Sequence, residues 1–117
     1  MITETEIIHI IDDVLQGLDQ LFTHDMMHRD IKSENVVRNK TDGIWKLCDY
    51  GFVKHFSKTK DKFNNLLMTN LGTPAYMSPY RINEKAYGIK SDIYSVGILL
   101  YELLYEGEFP FIGNNLN

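Results

Sequence analysis

Apolar residues recur at helical spacing near the start of the chain. Thr3 and Glu6 stand at the ends of a Thr-Glu-Thr-Glu stretch that has the spacing of a capping box. The apolar positions that follow lie three or four residues apart along one face. This pattern predicts a helix over residues 4–24. Its apolar positions are Ile7, Ile10, Ile11, Val14, Leu18, Leu21 and Phe22.

A second helical pattern lies near the end of the chain. Ser91 is a favourable N-cap residue, Asp92 follows it in the first turn, and Gly107 fits a C-terminal stop. These signals predict a helix over residues 91–106. Its apolar residues cover most of the circumference, so we expect the helix to be buried on several sides. They are Ile93, Val96, Leu99, Leu100, Leu103 and Leu104.

Between the two helical patterns, two short apolar runs flank a turn. Asn-Lys-Thr-Asp-Gly at residues 39–43 separates them, which predicts a β-hairpin over residues 36–48. The ends of this hairpin carry Asn35 and Asp49, so we expect these two side chains to be neighbours. Residues 52–72 show no periodicity, which in a compact domain indicates a functional loop or disorder. The fold class predicted from these patterns is α+β and mainly helical.

Polar residues with a common chemistry are concentrated before and after the hairpin. Residues 28–35 read His-Arg-Asp-Ile-Lys-Ser-Glu-Asn, and residues 49–51 read Asp-Tyr-Gly. Two more motifs follow, Gly-Thr-Pro-Ala-Tyr-Met-Ser-Pro at 72–79 and Ser-Asp-Ile-Tyr-Ser-Val-Gly at 91–97. Phosphoryl transfer requires charges placed around a phosphate, a metal ion and a hydroxyl. The two Asp residues, the Lys and the Asn of the first two motifs supply such groups.

These four motifs, in this order, resemble those of the protein kinase family, and the chain resembles a partial C-terminal lobe of the catalytic domain. The resemblance implies phosphorylation of protein serine or threonine residues, with ATP and Mg²⁺ as cofactors. It assigns residues 28–35 to the catalytic loop and residues 49–81 to an irregular activation segment. We expect the domain to be truncated, because the sequence contains no Gly-x-Gly motif and no Val-Ala-Ile-Lys strand.

The resemblance implies a role for each polar residue of these motifs. Asp30 would accept the proton of the substrate hydroxyl or orient that hydroxyl. Lys32 would contact ATP and stabilise charge on the transferred phosphoryl group, and Thr73 would bridge Asp30 and Lys32. Asn35 and Asp49 would hold Mg²⁺, whose preference for oxygen ligands suits both. The presence of Lys32 and Thr73 favours a serine or threonine acceptor over tyrosine.

Regulatory and structural roles also follow from the resemblance. Thr69 would be phosphorylated by an upstream activating kinase, and its phosphate would pair with Arg29; the alternative is that Thr69 is a solvated loop residue. His28 would pack beneath the aromatic residue of the Asp-x-Gly motif. In that motif Tyr50 replaces the usual Phe, which keeps the ring and adds a hydroxyl. A second departure is Ser-Pro-Tyr at residues 78–80, where relatives commonly have Ala-Pro-Glu.

Composition bears mainly on partners and location. The formal net charge of −4 is not the positive charge that is typical of nucleic-acid-binding domains. The single cysteine, Cys48, suits a reducing compartment, and no apolar stretch approaches the length of a membrane span. We therefore expect a soluble intracellular protein, cytoplasmic or nuclear, that binds neither nucleic acid nor membrane. A protein substrate is what the kinase resemblance implies.

Three hypotheses remain open at the level of sequence. In the first, the chain is part of a serine/threonine kinase whose missing lobe is explained by an incomplete gene model or a neighbouring exon. In the second, it is a catalytically inactive kinase-derived interaction module that binds kinase regulators or a partner supplying the missing lobe. In the third, it is a decayed, unstable fragment. Retention of five polar groups with defined roles favours the first. Absence of the elements that clamp ATP favours the other two for the polypeptide by itself.

Overall fold

The computed structural model of the chain describes residues 2–51, 53–55, 66–67, 74–79 and 86–111. Over these residues the fold is α+β, with a helix near each end and short antiparallel strand pairs between them. The helices are α1 (Glu4–Thr23) and α2 (Ile89–Leu104). The strands are β1 (Met26–Met27), β2 (Val36–Arg38), β3 (Trp45–Leu47), β4 (Lys54–His55), β5 (Leu66–Leu67) and β6 (Ala86–Tyr87).

Helix α1 begins with a complete capping box. The Thr3 hydroxyl accepts a hydrogen bond from the Glu6 backbone at 3.2 Å, and the Glu6 carboxylate accepts one from the Thr3 backbone at 2.9 Å. Two backbone N–H groups that have no partner within the helix are thereby satisfied. The helix spans Glu4–Thr23, with His24, the last residue of the predicted range, as its C-cap. Its buried residues are Ile7, Ile10, Val14 and Leu18.

Helix α2 begins and ends two residues earlier than the predicted range of 91–106. Gly88 is the N-cap, and Ser91, the predicted cap, lies in the first turn with its hydroxyl 3.4 Å from the Gly88 backbone nitrogen. At the other end the helix stops at Leu104, because Glu106 and Gly107 both adopt positive φ angles, of 55° and 94°. The Gly107 N–H donates to the Glu102 carbonyl at 2.8 Å, which closes the last turn.

Helix α2 is less buried than its apolar pattern predicts. Val96 and Leu99 are buried, whereas Ile93 is 48% exposed and Leu104 is 49% exposed. Among the described residues the helix packs against α1 and against the short 3₁₀ turn at Pro74–Tyr76, which leaves another part of its circumference uncovered. The expectation of burial on several sides was therefore wrong for these two residues.

The main core lies where α1, α2 and the β2–β3 hairpin meet. Val14, Leu18, Ile31 and Leu99 are its most deeply buried side chains, and Leu47 of β3 also belongs to it. The hairpin pairs Val36 with Leu47, Val37 with Lys46 and Arg38 with Trp45. Since an isolated two-stranded hairpin is marginally stable in water, its packing on α1 is what allows it to persist.

One side chain of α1 also holds the hairpin by a hydrogen bond. The Asp13 carboxylate accepts a bond from the Trp45 backbone N–H at 3.0 Å, on the edge of β3 that faces α1. This contact fixes the strand that leads to Asp49. None of the described helices is both long and apolar enough to cross a lipid bilayer.

Candidate active site

The loop that follows β1 is held in place by a buried carboxylate of α2. Asp92 is fully buried and accepts hydrogen bonds from two consecutive backbone N–H groups, those of His28 at 2.9 Å and Arg29 at 3.0 Å. Arg29 has a positive φ of 74°, which L-residues seldom adopt without support from their surroundings. Asp92 supplies that support one residue before Asp30.

His28 connects this loop to the strand that precedes Asp49. Its buried ring accepts a hydrogen bond at Nδ1 from the Asp30 backbone N–H at 3.2 Å. Its Nε2 lies 3.0 Å from the Cys48 carbonyl, which can only accept, so these bonds assign the neutral tautomer with hydrogen on Nε2. The ring also packs edge-on against Tyr50, with centroids 5.6 Å apart. His28 thus links the loop at residues 28–35 to the segment that carries Asp49.

Two polar side chains of the loop meet the Asp30 carboxylate. The Asn35 amide nitrogen donates to the Asp30 carbonyl at 2.7 Å and to its carboxylate at 3.2 Å. The Lys32 ammonium lies 3.7 Å from the same carboxylate oxygen. Asp30 and Asn35 are buried, whereas Lys32 keeps 23% of its side chain exposed. The result is an oriented carboxylate beside a cation that solvent or a ligand can reach.

Asp49 lies at the neighbouring end of the hairpin. The Cys48 N–H donates to the Asn35 carbonyl at 2.7 Å, so the backbone segments that carry Asn35 and Asp49 are hydrogen-bonded neighbours. Asp49 is exposed, has a positive φ of 59°, and accepts a bond from the Gly51 N–H at 3.3 Å.

The oxygen donors at this end of the hairpin fit Mg²⁺. Because the Asn35 amide nitrogen is directed at Asp30, its oxygen is turned to the opposite side of the amide group. An amide oxygen and a carboxylate on neighbouring segments are the hard ligands that Mg²⁺ binds, usually with water and phosphate completing the coordination.

Comparison with known sequences identifies the family. The family model for the protein kinase domain matches residues 1–117. This chain belongs to the protein kinase family. It is 35% identical to serine/threonine-protein kinase SKM1 of Saccharomyces cerevisiae over 97% of the chain, and 38% identical to serine/threonine-protein kinase PAK 1 of Mus musculus over 96%. The chain spans 16% and 19% of the lengths of these two relatives.

A further relative is serine/threonine-protein kinase SMU1 of Mycosarcoma maydis, which is 39% identical over 98% of the chain. The chain covers 15% of its length. All three relatives are named serine/threonine-protein kinases. Their names agree with the family that the four sequence motifs resemble.

Sequence reasoning missed a polar network beside the kinase motifs. The Tyr76 hydroxyl donates to the Glu102 carboxylate at 2.5 Å and lies 3.3 Å from the Ser33 hydroxyl, which also bonds Glu102 at 3.3 Å. Burial is the main cause that raises the pKa of Tyr76 to about 12, and the hydrogen bond to Glu102 adds to it. The network joins the loop at residues 28–35 to α2. Its three members are far apart in the chain, so no local spacing could have indicated it.

Two of the predicted kinase residues, Thr69 and Thr73, lie outside the described residues, as does much of the predicted activation segment. Arg29 is described and half-buried, and its backbone is bound to Asp92. The structure therefore brings together Asp30, Lys32 and Asn35 by side-chain contacts and joins the Asp49 segment to them through the backbone.

Proposed function

We propose that this chain is part of the C-terminal lobe of a serine/threonine protein kinase and supplies its catalytic loop. In this proposal the kinase transfers the γ-phosphoryl group of ATP to a serine or threonine hydroxyl of a protein. The observation that carries the proposal is the buried Asp30 carboxylate, which is oriented by Asn35 and adjoined by the partly exposed Lys32.

In the proposed reaction Asp30 orients the substrate hydroxyl and receives its proton. Its hydrogen bond from Asn35 fixes one carboxylate oxygen, so the rotation of the group is restricted before substrate arrives. Lys32 stabilises negative charge on the phosphoryl group in transit. Positioning and electrostatics of this kind supply most of the catalysis in phosphoryl transfer, because the protein forms no covalent bond to the phosphate.

Asn35 and Asp49 would hold the Mg²⁺ that accompanies ATP. When bound, the ion neutralises charge on the phosphate oxygens. Support for this assignment comes from the hydrogen bond between the Cys48 N–H and the Asn35 carbonyl, which keeps the two ligand-bearing segments side by side.

Two further roles and the class of substrate are carried over from the family resemblance. Thr73 would bridge Asp30 and Lys32, and phosphorylation of Thr69 by an upstream kinase would place a phosphate near Arg29. Support for the second role is the position of Arg29, which is held by Asp92 directly beside Asp30. A protein that offers serine or threonine is the proposed substrate.

The test is a phosphate-transfer assay. Since the chain covers less than a fifth of each relative named above, we would fuse it behind the segment that precedes the matched stretch in mouse PAK 1. The fusion should transfer labelled phosphate from ATP to serine and threonine of a generic protein substrate. Asp30→Asn should lower kcat by roughly 100-fold or more, which is the usual loss when a general base is removed.

Asp19→Asn is the matched control, since Asp19 is an exposed acid on α1. It should leave the rate unchanged. A fusion that binds Mg·ATP but transfers equally well with Asp30→Asn would contradict the proposal, as would transfer to tyrosine alone.

A second candidate function is a kinase-derived interaction module without activity of its own. The observation in its favour is the exposed apolar surface of α2 and the segment after it, where Ile93, Leu104 and Phe111 lie 48%, 49% and 74% exposed. We expect the 117-residue polypeptide by itself to show weak or no phosphate transfer, because in kinases the nucleotide is held between two lobes. Transfer by this polypeptide that Asp30→Asn abolishes would exclude the second candidate.

A further inference from the structure

Tyr50 makes a contact that the usual phenylalanine of this motif is unable to make. Its hydroxyl donates a hydrogen bond to the Leu47 carbonyl at 2.9 Å. Its ring also lies edge-on to the buried His28 ring, at an interplanar angle of 64°. A phenylalanine would retain the ring contact and lose the hydrogen bond.

Burial does not force this hydroxyl to bond the protein. The Tyr50 side chain is 56% exposed, so water could satisfy the hydroxyl if the ring turned outward. The bond to Leu47 therefore reflects the local geometry of the chain. It satisfies a carbonyl at the end of β3, where the strand passes into Cys48 and Asp49.

The residue enclosed by this contact is the proposed metal ligand. Asp49 lies between Leu47 and Tyr50, so the hydroxyl-to-carbonyl bond closes a loop across it. Asp49 has a φ of 59°, in the left-handed region that non-glycine residues adopt only when the surroundings favour it. On its other side the Asp49 carboxylate accepts a bond from the Gly51 N–H at 3.3 Å.

We propose that Tyr50 is a positioning residue for the Mg²⁺ site, and that its hydroxyl holds Asp49 in its left-handed conformation by bonding Leu47. This inference rests on the proposed function, in which Asp49 binds Mg²⁺. Without the hydroxyl, Asp49 exchanges between its left-handed conformation and the more common extended or helical ones. The carboxylate then spends less time in the orientation that the proposed metal site requires, and metal binding weakens.

The test compares the chain with its Tyr50→Phe variant. Mn²⁺ replaces Mg²⁺, because its paramagnetism broadens the NMR signals of nearby residues and reports binding without any reaction. Tyr50→Phe should weaken Mn²⁺ binding by about threefold to tenfold, the effect of losing one ordinary hydrogen bond. The three-bond coupling between the amide and α protons of Asp49 should change at the same time, because that coupling depends on φ.

Tyr105→Phe is the control, since Tyr105 stacks on Tyr101 at the end of α2 and should affect neither measurement. In the fusion described above, Tyr50→Phe should raise the Mg²⁺ concentration for half-maximal rate by the same factor and leave kcat at saturating Mg²⁺ unchanged.

The possible failures are distinguishable. Equal Mn²⁺ affinity in Tyr50→Phe and the unchanged chain would overturn the positioning role alone. Loss of the cooperative melt in Tyr50→Phe would overturn it too, because the hydroxyl would then support the whole fold. Absence of Mn²⁺ binding by the unchanged chain would overturn both this inference and the metal assignment on which it rests.

Discussion

Asp92 shows how one residue of α2 determines the geometry of a loop that lies far from it in sequence. Its carboxylate is buried and accepts two backbone hydrogen bonds, from His28 and Arg29. A buried carboxylate is costly unless its oxygens are satisfied, and buried N–H groups carry the same requirement. The same two hydrogen bonds satisfy the carboxylate and the N–H groups, and they fix the backbone next to Asp30.

Replacing Asp92 by asparagine should therefore destabilise the chain. An amide group retains one acceptor and directs its NH₂ at one of the two backbone N–H groups. We expect Asp92→Asn to lower the free energy of unfolding by about 2–4 kcal/mol, from one unsatisfied buried donor and a weakened bond to the other. Urea unfolding measures the change, with the exposed Asp19→Asn as control. A loss below about 0.5 kcal/mol would be inconsistent with this role for Asp92.

The hydroxyl of Tyr76 leads to a prediction of how the stability of the chain depends on pH. Its ordinary pKa is 10.0, and burial together with the bond to Glu102 raises the pKa in the folded chain to about 12. The neutral phenol is thus favoured by folding, so its stabilising contribution is complete below pH 10 and is lost as pH rises toward 12. Tyr76→Phe lacks this ionisation, so the stability difference between the two proteins should shrink over that range. Unfolding measured at pH 9 and pH 11 tests it, and an unchanged difference would contradict it.

At the scale of elements, local sequence signals predicted α1 and the β2–β3 hairpin well. The capping box identifies the first turn of α1 because both of its hydrogen bonds join residues three apart. The predicted start of α2 at Ser91 lies two residues after the observed start at Ile89. Ser91 has the chemistry of a cap, but its hydroxyl lies beside the backbone nitrogen of Gly88, which takes the cap position. The preference of serine for cap positions did not show whether residue 88 or residue 91 is the N-cap.

The hydrogen bond between Asp13 and Trp45 is a contact between two elements that mutation can test directly. Its bond to the Trp45 N–H attaches β3 to α1, and β3 leads to Asp49. Asp13→Ala should lower the free energy of unfolding by about 1–2 kcal/mol, whereas Asp13→Asn keeps an acceptor and should lose less. Asp12→Ala is the control on the same helix, where Asp12 is exposed and bonds Gln16. Hydrogen exchange at Trp45 should accelerate in Asp13→Ala alone; equal exchange in all variants would exclude this attachment.

At the scale of the whole molecule, the candidate site was predictable in part. The motif at residues 28–35 placed Asp30, Lys32 and Asn35 in one loop, where their side chains meet. Tertiary contacts such as the bond of Tyr76 to Glu102 depend on how α2 packs, and sequence spacing carries no record of that packing. The exposure of Ile93 and Leu104 escaped prediction for the same reason, since an apolar pattern does not specify which faces find a partner.

The most direct measurement is a thermal melt of the fusion described above and its Asp49→Asn variant, with and without millimolar Mg²⁺ and ATP. We expect a cooperative melt for both. Ligand at ten times its dissociation constant stabilises a folded binder by about 1.4 kcal/mol, or about 3–6 °C for a domain of 150–250 residues. Mg·ATP should produce such a rise in the unchanged fusion and little or none in its Asp49→Asn variant. A cooperative melt that Mg·ATP does not move would contradict a kinase site built from the residues of this chain and favour the interaction module.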